Sequence, residues 1–227
     1  MESRGTSVRR ALGVVVALVA CASVSACLFY VPTPPYTPEI RWKQEVRLHD
    51  GRIIVVEQWE KRGGRSEPGQ PPMALWSEIK AKNPVTGAEV AWREDSASGA
   101  YVFDFVGEIA YVAVSVGLYP ACKKYGFPES NFVFFRYDGE WKRISYSEFP
   151  PMLDTNLFLS AWRAERLGLL EPLMTLDKQS AYNRRYRYGG EYSMRRLMET
   201  GKRSFCADFE KTEEYKKAKE SKEHRTE

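Results

Sequence analysis

The chain has 227 residues, of which 43% are hydrophobic and 13% aromatic, with 34 lysines and arginines against 30 aspartates and glutamates. This is enough apolar material for one domain with a substantial core, or for two small ones. A net charge of only +4 predicts neither a nucleic-acid binder nor an enzyme built for acidic substrates.

Arg4, Arg9 and Arg10 precede an uncharged apolar run that starts at Ala11 and ends in Val24-Ser25-Ala26-Cys27. A basic start, a short apolar middle and a small-residue cleavage site make an export signal over residues 1–26. The cysteine at the cut resembles the lipobox of bacterial lipoproteins, in which cleavage before the cysteine leaves it to carry the acyl chains. Two alternatives stay open. Leu18-Val19-Ala20-Cys21 also fits a lipobox, and Ala11 to Val31 is about as long as the ~20 residues of an uncleaved bilayer span. The basic start places the rest of the chain outside the cytoplasm in every case. By the same resemblance, Leu28 rather than an aspartate behind the lipidated cysteine implies the outer membrane, with the domain facing the periplasm. Loss of Glu2, Arg4, Arg9 and Arg10 with the signal lowers the net charge to +2. It also leaves Cys122 and Cys206 as the cysteines of the mature domain, in an oxidising compartment. A disulfide between them is expected, the alternative being two unpaired thiols.

Residues 27–40 hold Pro32, Pro34, Pro35 and Pro38, an extended, semi-rigid tether that would hold a domain off the bilayer. A β domain is expected over 41–149. Val46 to His49 and Arg52 to Val55 flank Asp50-Gly51, a hairpin signal. A two-residue loop pairs Leu48 with Ile53 and Val46 with Val55, all four on one face. Gly63 to Pro72 can bury little and reads as a long loop. Leu75 to Lys82 and Ala88 to Arg93, around Asn83-Pro84-Val85-Thr86-Gly87, form a second hairpin. Tyr101, Phe103 and Phe105 alternate with Val102, Asp104 and Val106, giving one aromatic face. Ile109 to Val116, apolar at nearly every position, predicts a central strand covered on both sides. Phe132 to Tyr137 and Glu140 to Ile144 close a hairpin at Asp138-Gly139 that sets Arg136 opposite Trp141 and Val133 opposite Ile144. About eight short strands in meander order predict a mainly β, α+β protein: an antiparallel sandwich, open barrel or blade-like sheet.

Residues 150–206 read as a mixed, helical C-terminal part, with Leu157-Phe158-Leu159 as a last strand and helical spacing over Trp162 to Leu170 and Glu191 to Thr200. Residues 207–227 are a charged tail. Glu213 with Lys217 and Lys216 with Glu220 have helical pair spacing but no apolar face, so a frayed helix or disorder is expected.

Chemistry-bearing motifs are sparse. His49 and His224 lie at opposite ends of the mature chain, with no zinc-type spacing, so neither a metal nor a cofactor is expected. Asp104 and Glu108 are the nearest approach to the carboxylate pair that glycoside hydrolysis needs, with Gly107 turning the chain between them. Arg184, Arg185, Arg187, Arg195 and Arg196 interleave with Tyr182, Tyr186, Tyr188 and Tyr192. For an exported protein this composition suits an anionic lipid, an acidic glycan or an envelope protein partner rather than nucleic acid. The bland alternative is a solvated helix face with arginine stems packed on tyrosine rings.

Trp42-Lys43, Glu45-Val46, Leu48, Asp50-Gly51-Arg52 and Ile54-Val55-Val56-Glu57, followed by Gly63-Gly64-Arg65, Glu67 and Gly69-Gln70-Pro71-Pro72, resemble an uncharacterised family of small bacterial lipoproteins. Pro120-Ala121-Cys122 with Tyr125, and Phe132 to Gly139 running into Trp141-Lys142-Arg143-Ile144, extend the likeness over roughly residues 27–150. The resemblance implies a lipid-anchored envelope protein and carries no activity, catalytic residue or cofactor. The expectation is a non-enzymatic binding module, with 63–72 and the Arg/Tyr segment as its surfaces. The alternative is a periplasmic hydrolase of cell-wall glycan or peptide.

Overall fold

The computed structural model describes residues 39–63, 73–95, 99–116, 118–158, 161–186, 194–195, 198, 204–209 and 211–212. Among the described residues eight strands run β1 Glu39–Arg47, β2 Ile53–Gly63, β3 Met73–Lys82, β4 Glu89–Glu94, β5 Ala100–Val106, β6 Ile109–Ser115, β7 Phe132–Tyr137 and β8 Trp141–Ile144. They pair as two open four-stranded antiparallel meanders, β1-β2-β3-β4 and β5-β6-β7-β8. Short helices follow: α1 Tyr119–Lys124 between β6 and β7, α2 Ala161–Arg166 and α3 Leu176–Tyr186, with a 3₁₀ turn at Tyr146–Glu148. The protein is mainly β, as its strand spacing predicts.

The two sheets share one core. Val46, Leu48, Val56, Ile79, Val90 and Trp92 of the first meet Phe103, Phe105, Val112, Val114, Val133 and Phe135 of the second. Burying Phe103 and Phe105 completely contributes about 1.5–3 kcal/mol each. The other face of the second sheet is covered as well: Val102, Tyr111, Ala113, Phe132 and Phe134 pack against Phe149, Leu153 and Met194. This double burial explains why β6 is apolar throughout. Beyond the shared core, Ile40 and Trp42 of β1 meet Phe158, Ala161, Ala164, Leu170, Met174 and Tyr182.

The turn phases differ from expectation. Leu48 N–H donates to Arg52 O at 2.8 Å and Gly51 N–H to Leu48 O at 3.0 Å, closing a loop of His49, Asp50 and Gly51. Gly51 has φ +87°, the left-handed conformation such a three-residue hairpin loop requires. Val46 therefore faces Ile54, not Val55. Ile53 and Val55 point to solvent, 52% and 47% exposed, while Val56 is buried. The β7–β8 turn shifts the same way: Tyr137 faces Trp141, Arg136 faces Lys142 and Phe134 faces Ile144. The expected Arg136–Trp141 pair is replaced by Trp141 packed on Tyr137 and edge-on to Trp92. In both cases one strand is a continuous apolar run, Ile53 to Val56 or Phe132 to Phe135, so alternation carries no phase information. A third departure is the irregularity between Ala100 and Val102. It turns Tyr101 away from Phe103 and Phe105 and onto Phe132, at 5.2 Å between ring centroids.

The C-terminal part seals strand edges. Met174 N–H donates to Lys43 O at 2.9 Å and Glu45 N–H to Met174 O at 3.0 Å, a single parallel bridge along β1. At the edge of β5, the Asn156 side chain exchanges two 3.0 Å hydrogen bonds with the backbone of Phe103. Leu157-Phe158 is accordingly not a strand; Leu157 enters the shared core and Phe158 the β1–helix core. Helix α3 is absent from the sequence expectation, although Thr175 accepts the Lys178 N–H through its side chain at 3.3 Å and Asp177 sits in the first turn. The Cys122 and Cys206 sulfurs are joined in a disulfide, with Cα atoms 5.3 Å apart, tying the segment after Ser204 to α1.

Candidate functional site

Of the expected site residues, Cys122 and Cys206 are joined, and the Arg/Tyr segment is described only in part. Cys27, Cys21, the Pro tether, Arg187, Tyr188, Arg196 and His224 lie outside the described residues, as do 64–72 and the side chain of Tyr186. Arg184 and Arg185 are exposed in the last turn of α3, and Arg195 is exposed in a separate short stretch. Tyr182 faces inward, 2% exposed and edge-on to Phe158. It is a core residue and not part of an exposed stacking surface. Asp104 and Glu108 are not a dyad: Asp104 is 1% exposed in β5, and Glu108 is exposed in the turn that follows.

Asp104 instead meets His49. One carboxylate oxygen accepts the His49 backbone N–H at 2.9 Å, and the other lies 3.0 Å from Nδ1. The Phe105 N–H at 2.7 Å and the Asn156 amide at 3.4 Å complete its set. Because Asn156 also donates to Arg47 O, this cluster joins the β1–β2 turn, β5 and the C-terminal part into one polar clamp. A second buried carboxylate, Glu94, accepts a short hydrogen bond from the Tyr125 hydroxyl and one of 2.7 Å from Lys124 Nζ. Burial, with that hydrogen bond behind it, pushes the Tyr125 phenol well above its ordinary range. Both clusters consist of mutually satisfied groups that join segments.

The outer face of the first sheet has a different character. Period-2 alternation turns Arg41 and Lys43, Glu57 and Trp59, Trp76, Glu78 and Lys80, and Arg93 outward on β1 to β4. The Arg41 guanidinium lies 3.7 Å over the Trp59 ring, Trp59 and Trp76 meet edge-on at 4.6 Å, and Arg93 lies 4.5 Å over Trp76. Between this row and the Glu171–Pro172 loop is a groove of about 350 Å³, lined by Arg41, Lys43, Glu57, Trp59, Glu78 and Lys80. That volume is at the small end of the ligand-pocket range. The loop wall is held in place: Lys178 Nζ donates to the carbonyls of Glu171 at 3.0 Å, Leu173 at 2.8 Å and Leu169 at 3.4 Å.

Within the groove most charges are closed in pairs. Lys43 Nζ is 2.7 Å from Glu57, whose carboxyl it holds below its usual range. Lys80 Nζ is 2.7 Å from Glu78, which raises the ammonium above its usual range. The residue types carried no sequence motif; the one usable signal was the tryptophans at solvent-facing positions of an alternating strand. The chain matches no protein-family model, no curated protein and no solved structure. Among the described residues no group of three or more metal-ligating side chains gathers, and no helix is long and apolar enough to cross a membrane.

Proposed function

We propose that this chain is a lipid-anchored bacterial envelope protein, and that its β domain is a non-enzymatic binding module working through the outer face of the first sheet. The observation that carries the reading is the groove beside the Arg41–Trp59–Trp76–Arg93 row. It offers a preorganised wall and paired donors and acceptors, with Glu57 closed by Lys43 and Glu78 by Lys80. The anchor is Cys27, behind the basic and apolar leader, with the Pro-rich tether holding the domain off the membrane. Two or more acyl chains hold firmly, at about 0.8 kcal/mol per buried CH₂. The hydrolase alternative would need Asp104 to act on substrate, and that carboxylate is 1% exposed and hydrogen-bonded to His49.

Both halves are testable in cells. A photo-crosslinking residue at Lys80, in the groove, should capture an envelope component, whereas one at Lys142 on β8 should not. Capture at neither position, or at Lys142 alone, would remove the groove from the proposal. Acyl labelling should vanish in Cys27→Ala. Label that persists there and disappears in Cys21→Ala moves the anchor upstream, and label independent of both cysteines ends the lipoprotein reading.

A further inference from the structure

The groove's charges specify a ligand more narrowly than binding alone. Its lining includes three cations, Arg41, Lys43 and Lys80, and three carboxylates, Glu57, Glu78 and Glu171. Two pairs are closed internally, Lys43 with Glu57 and Lys80 with Glu78, each at 2.7 Å. Among the described residues Arg41 and Glu171 have no ion-pair partner. Arg93, the other tryptophan-stacked arginine of the row, is outside the groove lining and is neutralised by Asp95 at 2.8 Å. The acidic residues around the smaller pocket beside Arg41 are likewise engaged, Glu39 with Lys61 at 3.5 Å and Glu165 with Arg62 at 3.3 Å, again leaving Glu171.

Resting on the groove reading above, we infer that the groove binds a short zwitterionic peptide, its carboxylate on Arg41 and its ammonium toward Glu171. A guanidinium stacked on an indole keeps its N–H edges for a ligand and suits the planar, bidentate geometry of a carboxylate. Glu171 belongs to the wall that Lys178 pins through three carbonyls, so its place at the rim is held as well. Elsewhere in the lining, the Lys43–Glu57 and Glu78–Lys80 pairs present donors and acceptors together. Amide groups, which both donate and accept, match that arrangement; a zwitterionic lipid headgroup has no donors besides its ammonium.

Calorimetric titration of the purified full chain with tri-alanine, N-acetyl-tri-alanine and tri-alanine amide reads the two ends separately. Tri-alanine should bind saturably, and blocking either end should weaken it about ten- to a hundredfold, the size of a charge-assisted hydrogen bond. Arg41→Gln should erase the difference between acid and amide while keeping that between amine and acetyl. Glu171→Gln should do the reverse, and Arg93→Gln should change neither. All these side chains are on the surface, and unchanged circular dichroism checks that each variant is folded. Blocked peptides binding as well as tri-alanine, or Arg41→Gln still distinguishing acid from amide, would overturn the inference. So would phosphoethanolamine binding more tightly than tri-alanine, which would assign the groove to a headgroup. If tri-alanine fails while the crosslinker at Lys80 still captures a component, the ligand class falls and the groove stands; if both fail, the groove falls too.

Discussion

Tyr125 shows how one residue sets a pH dependence. Its hydroxyl and Lys124 Nζ, at the end of α1, satisfy the Glu94 carboxylate, which is 1% exposed at the end of β4. The Tyr125 phenol is pushed above its usual value of 10.0, first by burial and then by the hydrogen bond to Glu94. A group whose folded-state pKa is raised contributes stability below its unfolded pKa and loses it as pH rises toward the folded value. Stability should thus fall above about pH 10 as the unfolded chain alone gives up this proton. Tyr125→Phe should cost about 1–3 kcal/mol at pH 7, since Glu94 loses a buried donor. Urea midpoints measured from pH 7 to 11 should show the gap between wild type and variant narrowing above pH 10. A gap that stays constant would mean that Tyr125 titrates without linkage to folding, and one that widens would mean that its folded-state pKa is lowered.

Hairpin phase is decided at the level of the element. With loops of three residues, β2 presents Val56 to the shared core and leaves Ile53 and Val55 outside. The same phase carries Trp59 to the outer face, so the groove exists only in this register. Val55→Lys should change stability by no more than about 0.5 kcal/mol, the usual range for surface positions. Val56→Ala should cost about 2 kcal/mol through lost burial and the cavity left behind. The two-residue loop expected from Asp50-Gly51 demands the opposite ranking, so chemical denaturation of these two variants distinguishes the registers.

Across the whole molecule, the segment at Ser204 to Cys206 is held to α1 and the stretch before β7 by long-range links. The Cys122–Cys206 disulfide spans 84 positions. Around it Ser204 Oγ donates to Pro128 O at 2.7 Å and Phe205 N–H to Asn131 at 2.8 Å. In the chain-entropy account a loop of that size contributes about 4.5 kcal/mol. Reduction should therefore lower the melting temperature by on the order of 10 °C for a domain of this length. Calorimetry with and without reductant checks this; an unchanged transition would show that the segment after Ser204 is held by its other contacts.

The sequence by itself determined strand positions and their meander order, because turn residues and strand-length apolar runs are local signals. It also marked β6 as a central strand covered on both sides, since β6 has no polar alternation to spend on solvent. What only the tertiary structure decided is phase and partnership. Ile53 to Val56 and Phe132 to Phe135 are apolar on both faces, so a one-residue slip leaves the sequence pattern unchanged and only cross-sheet packing chooses. His49 and Asp104, 55 positions apart, and Glu94 and Tyr125, 31 apart, meet because the two sheets share a core. The groove follows the same logic. Arg41, Trp59 and Lys80 come from three strands and Glu171 from a loop far downstream, and only strand pairing with the C-terminal part against β1 brings them to one groove.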